Sequence, residues 1–205
     1  MKHSLSVWLL LALCVRKMEL LSARWEAFDL DAGVWTLARE NTKTRASIRI
    51  PLAKPVIAWL KEVKVFSFGR PYVFPARRLV RSRMGEARRN RYEHVSPDTL
   101  NVALRRLKLL DIEHFTVHDM RRTARTHLAG LGVDRFVAER SLNHKLGNVE
   151  GIYDRHDYFA ERAAALGAWA SLLAKIERGK APPAPPRQSH AASRRTARSD
   201  MTVDG

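Results

Sequence analysis

The stretch Thr116-Val117-His118-Asp119-Met120-Arg121-Arg122-Thr123 opens a helix. A threonine followed three residues later by an acid forms a capping box, in which side chain and backbone satisfy each other's free groups. Met120, Ala124 and Leu128 then recur at helical spacing, and Gly130 and Gly132 supply the stop. His118 and Arg121 stand three apart and share a face of that helix, while Met120 and Ala124 lie on another and anchor it. A histidine and an arginine beside the unpaired N–H groups of a helix start suit an anion.

Working outward, the rest of the chain reads as mainly α with one small sheet. Residues 4–24 are expected to form a helix, apolar on nearly every face as far as Cys14 and therefore buried. The period then changes. Phe28-Asp29-Leu30, Val34-Trp35-Thr36-Leu37 and Ala46-Ser47-Ile48-Arg49-Ile50 read as short strands, with Asp31-Ala32-Gly33 as a turn and Asn41-Thr42-Lys43-Thr44 as the polar tip of a second hairpin, giving a three-stranded antiparallel sheet. Pro55 is suited to open a helix, expected to run to about Val63, and Ser96-Pro97 pairs an N-cap with a first-turn proline ahead of Leu100, Leu104, Leu107 and Leu110. Residues 64–94 read as loop. A short helix follows at Phe136 to Leu142, and residues 148–176 hold one or two more.

Composition narrows the function. The chain has 205 residues, with 37 Lys and Arg against 21 Asp and Glu, for a formal net charge of +16. Self-repulsion of that size opposes compactness, and a polyanionic partner relieves it. Nucleic acid is the first such partner, because cations that neutralise phosphates release condensed counterions. Between residues 75 and 91 stand Arg77, Arg78, Arg81, Arg83, Arg88, Arg89 and Arg91 against one acid, Glu86, which reads as a segment that tracks phosphates. The single cysteine, Cys14, excludes an internal disulfide and fits a reducing, cytoplasmic setting. The apolar run Val7 to Val15 behind Lys2 imitates a signal peptide. It lacks small residues at a cleavage point and is too short to span a bilayer, so it is read as a core helix with no membrane partner. From Arg178 the chain turns to Pro, Ala, Ser and Arg without apolar period. Residues 1–177 are thus expected to form one domain and residues 178–205 a disordered basic tail.

Two tyrosines follow Leu142-Asn143-His144, namely Tyr153 and Tyr158, and spacing alone does not choose between them. Taken together, the motifs resemble the tyrosine recombinase (phage integrase) family. His118-Asp119-Met120-Arg121 is similar to that family's histidine-x-x-arginine box, Leu142-Asn143-His144 to its second histidine box, and Gly151-Ile152-Tyr153-Asp154-Arg155 to the segment with the nucleophile. Arg16-Lys17-Met18-Glu19-Leu20-Leu21 resembles the first-arginine box, and Lys43 on its hairpin matches the catalytic lysine. The family's usual glycine just before the first arginine is replaced by Cys14-Val15. No single box is specific; five in order, from about Leu5 to Trp169, are specific together.

The resemblance implies the fold of the tyrosine recombinase catalytic domain and an enzyme that cleaves and rejoins double-stranded DNA through a 3′-phosphotyrosine. It implies a catalytic set of Arg16, Lys43, His118, Arg121, His144 and Tyr153, a homotetramer assembled on DNA, and neither metal nor cofactor. Arg16 and Arg121 would clamp the phosphate, matching its oxygens with planar forks. His144 would add a third hydrogen bond, His118 would accept the phenol proton and Lys43 would protonate the leaving 5′-hydroxyl. Glu19, on the face of Arg16, would orient that arginine. Arg16 stands so near the start that the DNA-clamp domain preceding this one in the family has no room. The expectation is a truncated chain, and the alternative to catalysis is a remnant that binds DNA without recombining it.

Overall fold

The computed structural model of the chain describes residues 2–76, 93–107, 115–144 and 156–179. Among the described residues, seven α-helices and one small sheet follow in the order α1 (Lys2–Leu13), α2 (Lys17–Leu21), β1 (Phe28–Asp29), β2 (Val34–Leu37), β3 (Ile48–Pro51), α3 (Lys54–Ser67), α4 (Pro97–Leu107), α5 (Val117–Gly130), α6 (Arg135–Ser141) and α7 (Phe159–Glu177). The residues 77–92, 108–114, 145–155 and 180–205 lie outside the described set. The arginine-rich segment, Leu110, Tyr153 and the basic tail therefore do too.

The first helix is apolar on all sides because it is surrounded. Helix α1 packs against α3, α5 and α7, and Leu9, Leu10, Leu13 and Cys14 are each no more than 2% exposed. Two tryptophans fix its position. Trp169 of α7 donates from Nε1 to the carbonyl of Leu11 at 2.7 Å, and Trp8 stacks on Trp59 of α3 with centroids 6.0 Å apart. The single helix expected over residues 4–24 is in fact two. Cys14 adopts φ 55°, a left-handed conformation that a helix cannot contain, and α2 starts afresh after Arg16. No helix among the described residues is long and apolar enough to cross a membrane.

The sheet follows its alternation. Strand β2 pairs antiparallel with both neighbours, in the register Phe28↔Trp35 and Trp35↔Ile50. Trp35, Leu37 and Ile50 are buried on one face, while Thr36 and Arg49 turn outward. Gly33 makes the first turn at φ 67°, a left-handed conformation that strains any residue with a Cβ. In the second connection Thr42 is a hub. It is 6% exposed, and its hydroxyl donates to the Arg39 or Ala46 carbonyl and accepts from the Ala46 amide at 3.1 Å.

Helix α3 continues through Ser67, four residues beyond the Val63 expected from periodicity, because Val63 and Ser67 both stay buried on its inner face. The capping box of α5 forms as expected, with the Thr116 amide donating to Asp119 Oδ2 at 2.9 Å and the Asp119 amide to Thr116 Oγ1 at 3.3 Å. The Thr116 hydroxyl, which donates to Asp119 Oδ2 at 2.7 Å, and after it the Thr116 amide hold the Asp119 carboxyl below its usual range. Met120, Ala124 and Leu128 form the buried stripe.

Helix α7 is tied to the sheet by a buried charge. Arg162, 1% exposed, donates to the carbonyl of Arg49 in β3 at 2.8 Å and to Asp157 Oδ1 at 2.9 Å. Arg49 itself pairs with Asp157 at 3.3 Å. Desolvation pulls the Arg162 guanidinium below its ordinary pKa, opposed by Asp157.

Leu128 is fully enclosed in α5. Leu128→Ala is expected to destabilise the fold by about 2–5 kcal/mol through lost burial and the cavity left behind. Urea unfolding checks it, with a lowered midpoint at unchanged slope as the expected result.

Candidate active site

The site is built where three helix ends meet: the end of α1, the start of α5 and the end of α6. Arg121, one turn into α5, turns inward and is 6% exposed. Its Nη1 donates to the carbonyl of Cys14. Its Nη2 donates to the carbonyl of Leu142 at 2.6 Å and lies 3.1 Å from His144 Nε2. Arg16 comes from the other side and donates from Nη2 to the carbonyl of Asn143 at 3.2 Å. The structure thus brings Arg16, Arg121 and His144 together.

Both backbone reversals that supply these carbonyls use the left-handed region without glycine. Cys14 has φ 55° and Asn143 has φ 51°. Asparagine tolerates that conformation better than most residues, and at Asn143 it completes a Schellman ending of α6. The His144 amide donates to the Glu139 carbonyl at 3.0 Å and the Asn143 amide to the Arg140 carbonyl at 3.0 Å. At Cys14 the turn that glycine makes freely is made by a buried thiol. Cys14-Val15, the departure from the family pattern, therefore changes the side chain and leaves Arg16 presented by a left-handed turn all the same. Burial pushes the Cys14 thiol up to about 12, against the opposing pull of Arg121. It stays protonated and unreactive at neutral pH.

Arg16 and His144 each have a carboxylate behind them. Glu19 is 3% exposed. Its Oε2 accepts from the Arg16 amide at 2.8 Å and its Oε1 from Arg16 Nη1 at 3.0 Å, so one side chain both starts α2 and aims the arginine. Glu139 accepts from His144 Nδ1 through Oε2 and from Arg125 Nε through Oε1, both at 2.7 Å. Burial pulls the Glu139 carboxyl up, but the bonds from Arg125 and His144 outweigh it and the net shift is down. Arg121 moves below its ordinary value through desolvation first and repulsion from Arg16 second, with Glu19 opposing. Three guanidiniums, on Arg16, Arg121 and Arg125, face two carboxylates, on Glu19 and Glu139. The cluster carries net positive charge with its outer members accessible, since the side chains of Arg16 and His144 are 26% and 39% exposed.

Neither His118 nor Lys43, the other expected residues that the structure describes, has a hydrogen bond to this trio. His118 is exposed in the first turn of α5, one turn before Arg121. Lys43 is exposed in the β2–β3 connection, with no hydrogen bond or ion pair to another described residue. Tyr153 and the arginines 77, 78, 81, 83, 88, 89 and 91 lie outside the described residues. Tyr158, the rival to Tyr153, is half-buried against the core at the start of α7, with its ring edge-on to His156 at 4.6 Å. Sequence reasoning missed Arg125 and Glu139. The signal for Glu139 was present, because a Schellman ending with asparagine at its left-handed position brings a residue and the fifth one after it together. Nothing local pointed to Arg125.

A family model described as "Phage integrase family" matches residues 1–159. The chain is 30% identical over 176 residues to Prophage integrase IntA of Escherichia coli (strain K12), covering 85% of this chain and 39% of that protein. It thus spans about two fifths of that relative's length. Among solved structures it is similar to the integrase from mycobacterium phage Brujita, with a TM-score of 0.55 at 18% identity over 80% of this chain and 51% of that one. It is also similar to the Tn1549 transposon integrase in complex with circular intermediate DNA, with a TM-score of 0.55 at 18% identity over 82% of this chain and 59% of that one. These likenesses show the fold of the tyrosine recombinase catalytic domain, mostly helical with a small three-stranded antiparallel sheet. With the family match running over more than half of its length, the chain belongs to the phage integrase family.

Proposed function

We propose that this chain is the catalytic domain of a site-specific DNA recombinase that cleaves and rejoins double-stranded DNA through a 3′-phosphotyrosine. The observation that carries the reading is the convergence of Arg16, Arg121 and His144 into one cluster of net positive charge. A phosphodiester is the anion it suits. Its two non-bridging oxygens match two guanidinium forks, and preorganised donors gain most where charge develops in the transition state.

The steps follow from the residue chemistry. The Tyr153 oxygen attacks phosphorus and gives its proton to His118. The bond from phosphorus to the 5′-oxygen breaks, and Lys43 protonates that oxygen as it leaves. A phenol of ordinary pKa, near ~10, needs both a base and a cationic pocket to do this at neutral pH. Attack by another 5′-hydroxyl reverses the sequence and joins the new strand. The arginines at 77, 78, 81, 83, 88, 89 and 91 track the flanking phosphates, and the working form is a homotetramer on DNA in the cytoplasm. The Tn1549 relative's complex with DNA supports the choice of partner.

The net charge of +16 also suits a second reading, a chain that binds DNA without recombining it. Covalent capture on a nicked suicide duplex separates the two. The chain should form a protein–DNA adduct stable in denaturing gels. Tyr153→Phe should abolish it and Tyr158→Phe should retain it. Capture by Tyr153→Phe but not by Tyr158→Phe would move the nucleophile to Tyr158, and binding without any adduct would select the binding-only reading.

Arg121→Lys keeps the charge but loses the fork, and is expected to slow capture by about 100-fold or more. Duplex affinity should fall about 10³- to 10⁵-fold between 50 and 200 mM salt if some six to ten phosphates are contacted. Quench-flow capture and a salt titration followed by fluorescence anisotropy measure these two quantities.

A further inference from the structure

Both ring nitrogens of His144 are engaged, by partners of opposite character. Nδ1 lies 2.7 Å from Oε2 of Glu139, and Nε2 lies 3.1 Å from Nη2 of Arg121. An ionised carboxylate has no proton to give, and a guanidinium has no lone pair to offer. Only one neutral form of the ring satisfies both neighbours, with the proton on Nδ1 and the lone pair on Nε2. Glu139 is itself held from three directions. Arg125 Nε donates to its other oxygen at 2.7 Å, its backbone carbonyl accepts the His144 amide at 3.0 Å, and it occupies the last turn of α6.

We propose that Arg125 and Glu139 are positioning residues that fix His144 as its Nδ1–H tautomer, aiming Nε2 at the phosphate position that Arg121 guards until DNA binds. The proposal deepens the phosphodiester reading given above and rests on it for the identity of the anion. Its consequence is an exchange of partners. When a phosphate oxygen takes Nη2 of Arg121, Nε2 loses its donor. It then binds one proton from solvent and donates that proton to the same phosphate, while Glu139, kept ionised by Arg125, balances the imidazolium. The charged groups that face the ring in this exchange are Arg121 and Arg125 from α5, Glu139 from α6 and Arg16 from the α1–α2 junction. Carboxylate partners that orient a functional histidine in this way fix its tautomer.

The test uses the full chain labelled with ¹⁵N-histidine. The His144 ring signals are those lost in His144→Asn. In the free wild-type protein at neutral pH they should show a protonated Nδ1 and an unprotonated Nε2. Glu139→Ala should release the ring to a mixture containing the Nε2–H form. It should also slow covalent capture by about 10- to 100-fold, while duplex affinity stays within a few-fold. Glu139→Gln should recover part of the rate, since its amide oxygen still accepts from Nδ1. Arg125→Gln removes only the outer support and serves as the milder variant should Glu139→Ala fail to fold; a several-fold slower capture is expected of it. An Nε2–H pattern in the wild type would overturn the proposal, as would Glu139 and Arg125 variants that leave both the ring signals and the capture rate unchanged. If the wild type forms no adduct at all, the recombinase reading fails while the ring signals still decide whether Glu139 sets the tautomer.

Discussion

The guanidinium of Arg121 is the knot of the structure. It leaves water almost completely and replaces its hydration with the carbonyls of Cys14 and Leu142 and the ring nitrogen of His144. Desolvating a cation costs several kcal/mol, and only well-aimed, charge-assisted hydrogen bonds offset that. The three acceptors come from the end of α1 and from the turn after α6, where Leu142 and His144 lie two residues apart, so one side chain of α5 holds three segments at a fixed separation. The charge that makes this junction expensive also makes it receptive to an anion, because Arg16 is drawn to the same place by the carbonyl of Asn143.

Such a junction needs carbonyls that point out of their helices, and left-handed residues supply them. At Cys14 and Asn143 the chain accepts a conformation costing of order 1–3 kcal/mol each for a residue with a Cβ. The surrounding bonds over-determine both positions. Cys14 is enclosed in the core with its carbonyl capped by Arg121, and Asn143 sits inside the Schellman bonds that end α6. The carboxylates play the complementary part. Glu19 and Glu139 each bind a backbone-anchored neighbour as well as a cation, so the positive groups are aimed by elements of the fold rather than by free side-chain torsions.

A second buried cation, Arg162, does for α7 what Arg121 does for the site. It joins the start of that helix to the carbonyl of Arg49 in β3 and to Asp157, and Arg49 lies over the ring of Phe159 at 4.7 Å. The long last helix thereby packs on both the sheet and α1, and the described chain that resumes at His156 enters it at a fixed point. The half-buried Tyr158 owes its place to this anchorage, with the backbone at φ 49°.

Much of the architecture was legible because it is local. The capping box at Thr116, the alternation across Trp35 and Leu37, and the proline starts at residues 55 and 97 depend on neighbours a few positions apart, where steric and hydrogen-bonding preferences act directly on the chain. Resemblance to a family added Arg16 and His144, whose roles no spacing implied. What only the tertiary structure decided was the meeting of those residues, since the bonds from Arg121 to Cys14 and from Arg16 to Asn143 span 107 and 127 positions. It also decided the break at Cys14, which a residue with no preference for left-handed backbone does not announce, and the pairing of Arg125 with Glu139 across two helices. The physical reason is that a helix start is stabilised by the residues that form it. A buried charge is stabilised by whatever carbonyls and carboxylates the packing of distant helices delivers to it.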